Sequence, residues 1–220
     1  MAKKKESTLI NMLVALLVIA AVSGGVLGLV YGVTKDAIAE VDQKKNEAAI
    51  KAVLPLENVT YKADTLKYNY EGVDLTFPCN LAFDANGNFQ GAAVKTSEGG
   101  FGGKIDMMVG FLADGTIKGT SVLSHAETPG LGANMTGKFK DQFVDKNPAD
   151  FKLIVKKDGG DVDAITAATI TSRAFSKAVD KAYQAFMANK AQFMNNAPVE
   201  EIVIETEETI EITEGGTENQ

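Results

Sequence analysis

From Leu9 to Val33 the chain runs for 25 residues without a charge, broken only by Asn11, Ser23, Tyr31 and four glycines. As a helix rising ~1.5 Å per residue this stretch is roughly 37 Å long, which exceeds the ~30 Å hydrocarbon core of a bilayer. It is expected to span a membrane with some tilt. A signal peptide is the competing reading, but its apolar core is usually about 7–15 residues long and ends at a small-residue cleavage site. Here the apolar run continues well past Ala20 and Ala21. Lys3, Lys4 and Lys5 precede it, so the positive-inside tendency leaves residues 1–8 in the cytoplasm and everything after Val33 outside. Gly24, Gly28 and Gly32 recur every fourth residue, a spacing that clears one helix face for a neighbouring transmembrane helix, although glycine is also common in such helices generally.

The formal charge of −7 misrepresents the body of the chain, because eight of the 29 acidic side chains lie in residues 200–220. The remainder is balanced, with 21 acidic against 22 basic groups, and it has no basic stripe of the kind that nucleic-acid binding needs. One cysteine, Cys79, excludes an internal disulfide and any cysteine-based zinc or iron–sulfur centre. One histidine, His125, excludes multi-histidine metal sites. Whatever chemistry occurs in this chain therefore needs another carrier.

Residues 34–58 read as a helical linker, rich in Ala, Lys and Glu and stopped by Pro55. Residues 59–197 read as one domain, and its part over 59–124 changes to a β-rich texture of period two. Val59 to Tyr61, Asn80 to Asp84, Phe89 to Thr96, Lys104 to Phe111 and Thr116 to Leu123 alternate as strands, and Asn86-Gly87 and Asp114-Gly115 are two-residue hairpin signals. An antiparallel meander follows. Residues 135–145 are expected to form a short amphipathic helix with Phe139 and Phe143 four apart, Lys152 to Val155 a further strand, and Thr169 to about Met194 a long helix. On that helix Phe175, Val179, Ala182, Phe186 and Met187 form one core-facing stripe. The class is α+β: one membrane helix, then an antiparallel meander packed with helices. Residues 198–220 form an acidic tail in which Ile, Val and Thr alternate with Glu, read as solvated.

The chemistry concentrates at Asp163, Thr166, Thr169, Thr171 and Ser172, which follow a turn and open the last helix. Four hydroxyls lie within seven residues, Ala167 and Ala168 leave the backbone open, and a helix N-terminus presents free N–H groups and a positive dipole end to a phosphate. The plain alternative is that these residues cap a helix, as Ser, Thr and Asp commonly do. Upstream, Glu127, Thr128, Pro129, Gly130, Leu131 and Gly132 make a tight loop with polar and apolar contacts available to a planar ring, or an ordinary strand-to-helix connection. Asp158, Asp161 and Asp163 lack the twelve-residue calcium-loop pattern and read as a solvated turn. Gly99 to Gly103 has neither nucleotide-loop spacing and reads as a turn. Cys79 is expected to be buried and inert, and His125 to be a hydrogen-bonded structural group.

Asp163-x-x-Thr166-Ala-Ala-Thr169 resembles the flavinylation motif Asp-x-x-Ser/Thr-Gly-Ala-Thr of the FMN-binding domain shared by the G subunit of the Rnf electron-transport complex and the C subunit of the sodium-pumping NADH:quinone oxidoreductase. The run Gly99 to Gly103, Lys104 to Phe111, Asp114 to Gly119, and Val122 through His125 to Gly132 resembles the core of the Rnf G subunit in the same order. The likeness extends over roughly residues 8–190. It implies FMN joined through its phosphate to Thr169, with Asp163 and Thr166 as the earlier motif positions and Glu127, Thr128, Leu131 and Gly132 beside the flavin. Ala167 departs from the family's glycine, and fits unless φ there is positive.

The resemblance further implies a separate flavin transferase that uses FAD and Mg²⁺, because a threonine hydroxyl alone is a poor nucleophile. A covalent tether also suits a protein outside the cytoplasm, which cannot recapture a lost cofactor. By resemblance the chain is a redox-carrier subunit beside other membrane subunits of an Rnf complex, which couples ferredoxin oxidation and NAD⁺ reduction to Na⁺ or H⁺ translocation, and Thr169 is an attachment point rather than a catalytic base. The alternatives are the C subunit of the quinone-linked sodium pump, and a membrane-tethered, cofactor-free binding module in which the threonine cluster is only a helix cap.

Overall fold

The computed structural model describes residues 9–194. The N-terminal lysines and the acidic tail, on which two of the expectations above fall, lie outside them. Two compact units divide between Ala49 and Ile50.

The described residues of the first unit are helical throughout. Helix α1, Leu9–Val53, passes from the apolar stretch into the Ala/Lys/Glu-rich stretch without a break at residue 34. Between Leu9 and Val33 its large apolar side chains are exposed all round, from 52% at Val14 to 85% at Leu9. Such a surface is stable against lipid or other helices and not against water. Among the described residues this is the one helix long and apolar enough to cross a membrane.

The second unit is built on one sheet of five antiparallel strands in sequence order, β1 (Val59–Tyr70), β2 (Val73–Asp84), β3 (Phe89–Gly99), β4 (Lys104–Leu112) and β5 (Ile117–Ser124). The expected meander is present, with longer first strands than the alternation indicates. Missing from the sequence reading is the β1–β2 hairpin, which turns at Glu71 and Gly72 with φ of 51° and 85°. Glutamate is not a usual residue for that conformation, so the turn carries no sequence signal. The two expected hairpins occur, but over four residues each. Asp84 accepts the N–H groups of Asn86 and Asn88 at 2.8 and 2.9 Å, and Asp114 accepts that of Thr116 at 2.8 Å.

Helix α2 (Thr169–Phe193) crosses one face of the sheet. Phe186 stacks on Phe111 with ring centroids 5.2 Å apart, and the Thr96 hydroxyl donates to the carbonyl of Ala178 at 3.1 Å. Phe175, Val179, Ala182 and Phe186 are fully buried as expected, whereas Met187 sits at the rim, 37% exposed. On the other face the last residues of α1 lie directly on strands β4 and β5. A Cβ on Gly110 or Gly119 would collide with the Val53 backbone, so the glycines set how closely the chain approaches there.

Residues 125–168 wrap from β5 to α2 with little regular structure. The expected helix over 135–145 is two 3-10 turns, Gly132–Thr136 and Lys138–Phe143, separated by Gly137, whose ψ of −141° is not helical. Phe139 and Phe143 still meet edge-to-face at 5.7 Å and pack on Phe175. The expected strand Lys152 to Val155 is reduced to one bridge between Val155 and Val162. Leu153 and Val155 are buried and Ile154 is 49% exposed, so the alternation there anchors a loop to the core instead of continuing a ladder.

Cys79 is 2% exposed within this core, and burial pushes its thiol up to about 12 from an ordinary 9.0. A folded-state pKa above the unfolded one gives stability that is complete below pH about 9 and is lost as the pH rises toward 12. The melting midpoint is accordingly expected to fall from pH 9 upward, and a thiol reagent at pH 8 to label Cys79 only on unfolding. Rapid labelling of the native protein would show that the thiol is accessible.

Candidate functional site

Three segments meet at the start of α2: the β3–β4 turn at Gly100 to Gly103, the loop from His125 to Gly132, and residues 163–171. Together they line a cavity of about 400 Å³ with Phe101, Glu127, Thr128, Leu131, Gly132 and Ala167 to Thr171. That volume lies within the range of small-ligand sites, about 300–1,000 Å³.

Glu127 holds the three segments together. It is 5% exposed, and both carboxylate oxygens accept hydrogen bonds: Oε1 from the Gly102 N–H at 2.9 Å and Oε2 from the Thr171 hydroxyl at 2.7 Å. A Cβ at Gly100 or Gly132 would overlap this carboxylate, and one at Gly102 would overlap the Ala126 carbonyl. The glycines that read as an ordinary turn are therefore the space into which a buried acid fits. The Glu127 N–H donates to His125 Nδ1 at 3.2 Å, so the only imidazole of the chain is engaged in its own loop.

The helix start is built without a side-chain cap. Its N-cap is Ala168, a poor capping residue, and no side chain caps the first-turn N–H groups. Each hydroxyl has a distinct fate. Thr171 donates to Glu127, and Ser172 donates to the Ala168 carbonyl at 3.0 Å while accepting the Ile165 N–H at 2.9 Å. Thr169 is half-buried in the cavity wall, and its hydroxyl has no partner among the described residues. The capping interpretation of the threonine cluster thus fails on geometry: the cap position is an alanine, and one threonine is left facing a cavity beside free helix N–H groups. Such an arrangement can accept a phosphate with a hydroxyl next to it.

Of the seven residues singled out from the sequence, Thr169, Glu127, Thr128, Leu131 and Gly132 share this cavity. Asp163 and Thr166 are exposed and are not among its walls. Asp163 is held outside by Gln142, whose Oε1 accepts its N–H at 2.8 Å, and by an ion pair with Lys156 at 2.7 Å. Asp158 and Asp161 also have separate partners. The Arg173 guanidinium grips Asp158 at 2.7 and 2.8 Å and holds it below the usual carboxylate range, and Asp161 accepts the Lys152 N–H at 2.7 Å. Phe101, which the sequence reading passed over as part of a turn, lines the cavity; its signal was an aromatic residue isolated between pairs of glycines.

A second cavity, about 480 Å³, opens where the β2–β3 ladder stops beyond Cys79 and Val94. Lys181 pairs there with Glu98 and Lys104 with Asp106, Lys95 also lines it, and no helix start is among its walls.

A cavity of this size, with apolar side chains, an uncapped helix start and a threonine without a partner in its wall, is the kind of place where a domain binds a small phosphorylated ligand. In agreement, residues 100–184 match the FMN-binding domain family. The chain is 37% identical over 190 residues to the G subunit of the ion-translocating oxidoreductase complex of Aliivibrio fischeri, covering 81% of this chain and 88% of that one. It is 35% identical over 184 residues to the G subunit of the Na(+)-translocating ferredoxin:NAD(+) oxidoreductase complex of Acetobacterium woodii, covering 78% and 88%. The crystal structure of the C subunit of the Na(+)-translocating NADH-quinone reductase from Parabacteroides distasonis shares the fold, with TM-score 0.50 at 18% identity over 71% of this chain and 96% of that one. The chain belongs to the G-subunit family of ion-translocating oxidoreductase complexes. Of the two families that share the motif, sequence identity assigns it to the Rnf side.

Ala167 has φ 60°, the left-handed region in which the family's glycine is at ease and alanine is strained. Ala167→Gly removes a penalty of about 1–2 kcal/mol at the expense of about 0.4–1 kcal/mol from a looser unfolded chain. The net gain of roughly 0.5–1 kcal/mol is expected to raise the melting midpoint by about 2 °C. An unchanged or lower midpoint would mean that the turn is not strained.

Proposed function

We propose that this chain is an electron-transfer subunit of an Rnf-type membrane complex and carries FMN through a phosphoester to Thr169. The observation that carries this reading is the Thr169 hydroxyl, unbonded in a cavity wall at an uncapped helix start. The phosphate would sit against the first-turn N–H groups of α2, where the helix dipole favours an anion by about 0.3–1 kcal/mol. Thr128 would supply a polar contact, and Leu131 and Ile170 apolar ones. Asp163 and Thr166, exposed beside the helix start, are within reach of a modifying enzyme.

Attachment requires a flavin transferase with FAD as donor. The Thr169 oxygen attacks the FMN phosphorus, the pyrophosphate P–O bond breaks, AMP leaves, and the hydroxyl proton passes to a base of the transferase. When bound, the flavin supplies one- and two-electron chemistry, and the chain supplies orientation, exclusion of water and anchorage. Helix α1 places the domain at the membrane beside the other subunits. On the likeness to the relatives named above, the complex couples ferredoxin:NAD⁺ electron transfer to Na⁺ or H⁺ translocation. The lysines before α1 favour placing the domain outside the cytoplasm.

Co-expressed with a flavin transferase, the intact chain is expected to gain the mass of one FMN less one water, and Thr169→Ala to abolish the gain. An unchanged mass in the wild type overturns the attachment. For orientation, a C-terminal tag is expected to be accessible to a protease added outside the cytoplasmic membrane; a protected tag reverses the topology.

A further inference from the structure

Phe101 is 72% exposed, the most exposed large apolar side chain from Ile50 onward among the described residues. A single exposed apolar group is ordinary on a protein surface. Here Leu131 at 43% and Ile170 at 51% stand at the same cavity, so three large apolar side chains from three separate segments converge on one mouth. Convergent exposed apolar surface marks a place where something else is bound. The polar side chains of Glu127, Thr128, Thr169 and Thr171 line the same cavity.

The backbone that carries Phe101 is not free to fold inward. The Gly100 N–H donates to the Gly103 carbonyl at 2.8 Å, and the Gly102 N–H to Glu127 Oε1 at 2.9 Å. The space a side chain would take at Gly100 and Gly102 is filled by Glu127 and Ala126. A ring set between two such glycines projects away from the domain body on a fixed turn. The same carboxylate that holds this turn also accepts the Thr171 hydroxyl, two residues beyond Thr169. One buried side chain thereby joins the loop of the exposed ring to the helix that bears the free hydroxyl.

We propose that Phe101 is a positioning residue that covers one face of the flavin ring system, with Leu131 and Ile170 completing an apolar clamp, and that Glu127 sets the distance between this clamp and Thr169. The inference rests on the attachment proposed above. It assigns to the glycine-flanked turn the seating of the ring, separately from the tether. A phosphoester holds the flavin on the chain whether or not the ring is seated, so occupancy and seating can be read independently.

The test uses the full-length chain, flavinylated in the cell and purified in detergent, with three measurements: intact mass, visible circular dichroism of the flavin, and quenching of its fluorescence by iodide. Phe101→Ala is expected to keep the full FMN mass and, the side chain being exposed, an unchanged melting midpoint. Its flavin dichroism should collapse toward that of free FMN, and its iodide quenching constant should rise about threefold, as expected for loss of one aromatic stacking contact. Phe101→Tyr should restore both optical signals. Glu127→Ala should reproduce the optical changes, whereas Glu127→Gln, which keeps an acceptor, should change them less. Wild-type dichroism and quenching in a flavinylated Phe101→Ala protein overturn the clamp. A folded Phe101→Ala chain without flavin also overturns it, by moving the role of Phe101 to recognition by the transferase. A wild type without the added mass sinks the attachment and this inference together, an outcome that the mass alone identifies.

Discussion

A buried carboxylate holds the site together. Leaving such a group without partners in a protein interior is costly, and Glu127 is stable where it lies because both oxygens accept hydrogen bonds. The donors come from positions 102 and 171, which no local rule of secondary structure brings together. The requirement reaches further, since the carboxylate occupies the volume in which side chains at positions 100 and 132 would sit. One acid thus accounts for the glycines at positions 100 and 132 and ties the first turn of α2 to the β3–β4 turn.

The rest of the domain serves to bring these segments together. The sheet is covered on both faces, by α2 on one side and by the last turn of α1 on the other, so β3 and β4 cannot shift without disturbing two packed layers. The turn between those strands carries Phe101. At the far end of α2, Phe193 packs on Phe89 with centroids 5.6 Å apart, which secures the helix end remote from the cavity. Exposed Phe101, Leu131 and Ile170 and strained Ala167 collect at the cavity by the other end. An alanine cap, a left-handed alanine and exposed apolar side chains brought to one cavity are the local departures expected where a domain binds something.

Local, periodic signals made much of this readable from the residues alone. An uncharged stretch of 25 residues needs no partner to declare itself, because lipid solvates it directly. Helix α2 was legible to within about a residue, since four buried side chains at helical spacing leave no other conformation that hides them. The meander was legible from its alternation. The β1–β2 hairpin was not, because Glu71 adopts a left-handed turn through context, and the segment over 135–145 was misjudged because Gly137 interrupts an otherwise helical pattern.

Sequence alone therefore determined the membrane helix, the class of the domain, the position of the hydroxyl-rich helix start and the family resemblance, all of them properties carried by contiguous residues. Only the tertiary structure decided which hydroxyl is free. Thr166, Thr169, Thr171 and Ser172 are chemically alike in the chain, and they differ because Glu127 takes one, the Ala168 carbonyl takes another, a third faces outward, and Thr169 alone is left in the wall of the cavity. The same holds for Phe101, whose place beside that cavity follows from a hydrogen bond spanning 25 residues of chain. Such choices depend on contacts between distant segments, and no pattern within either segment encodes them.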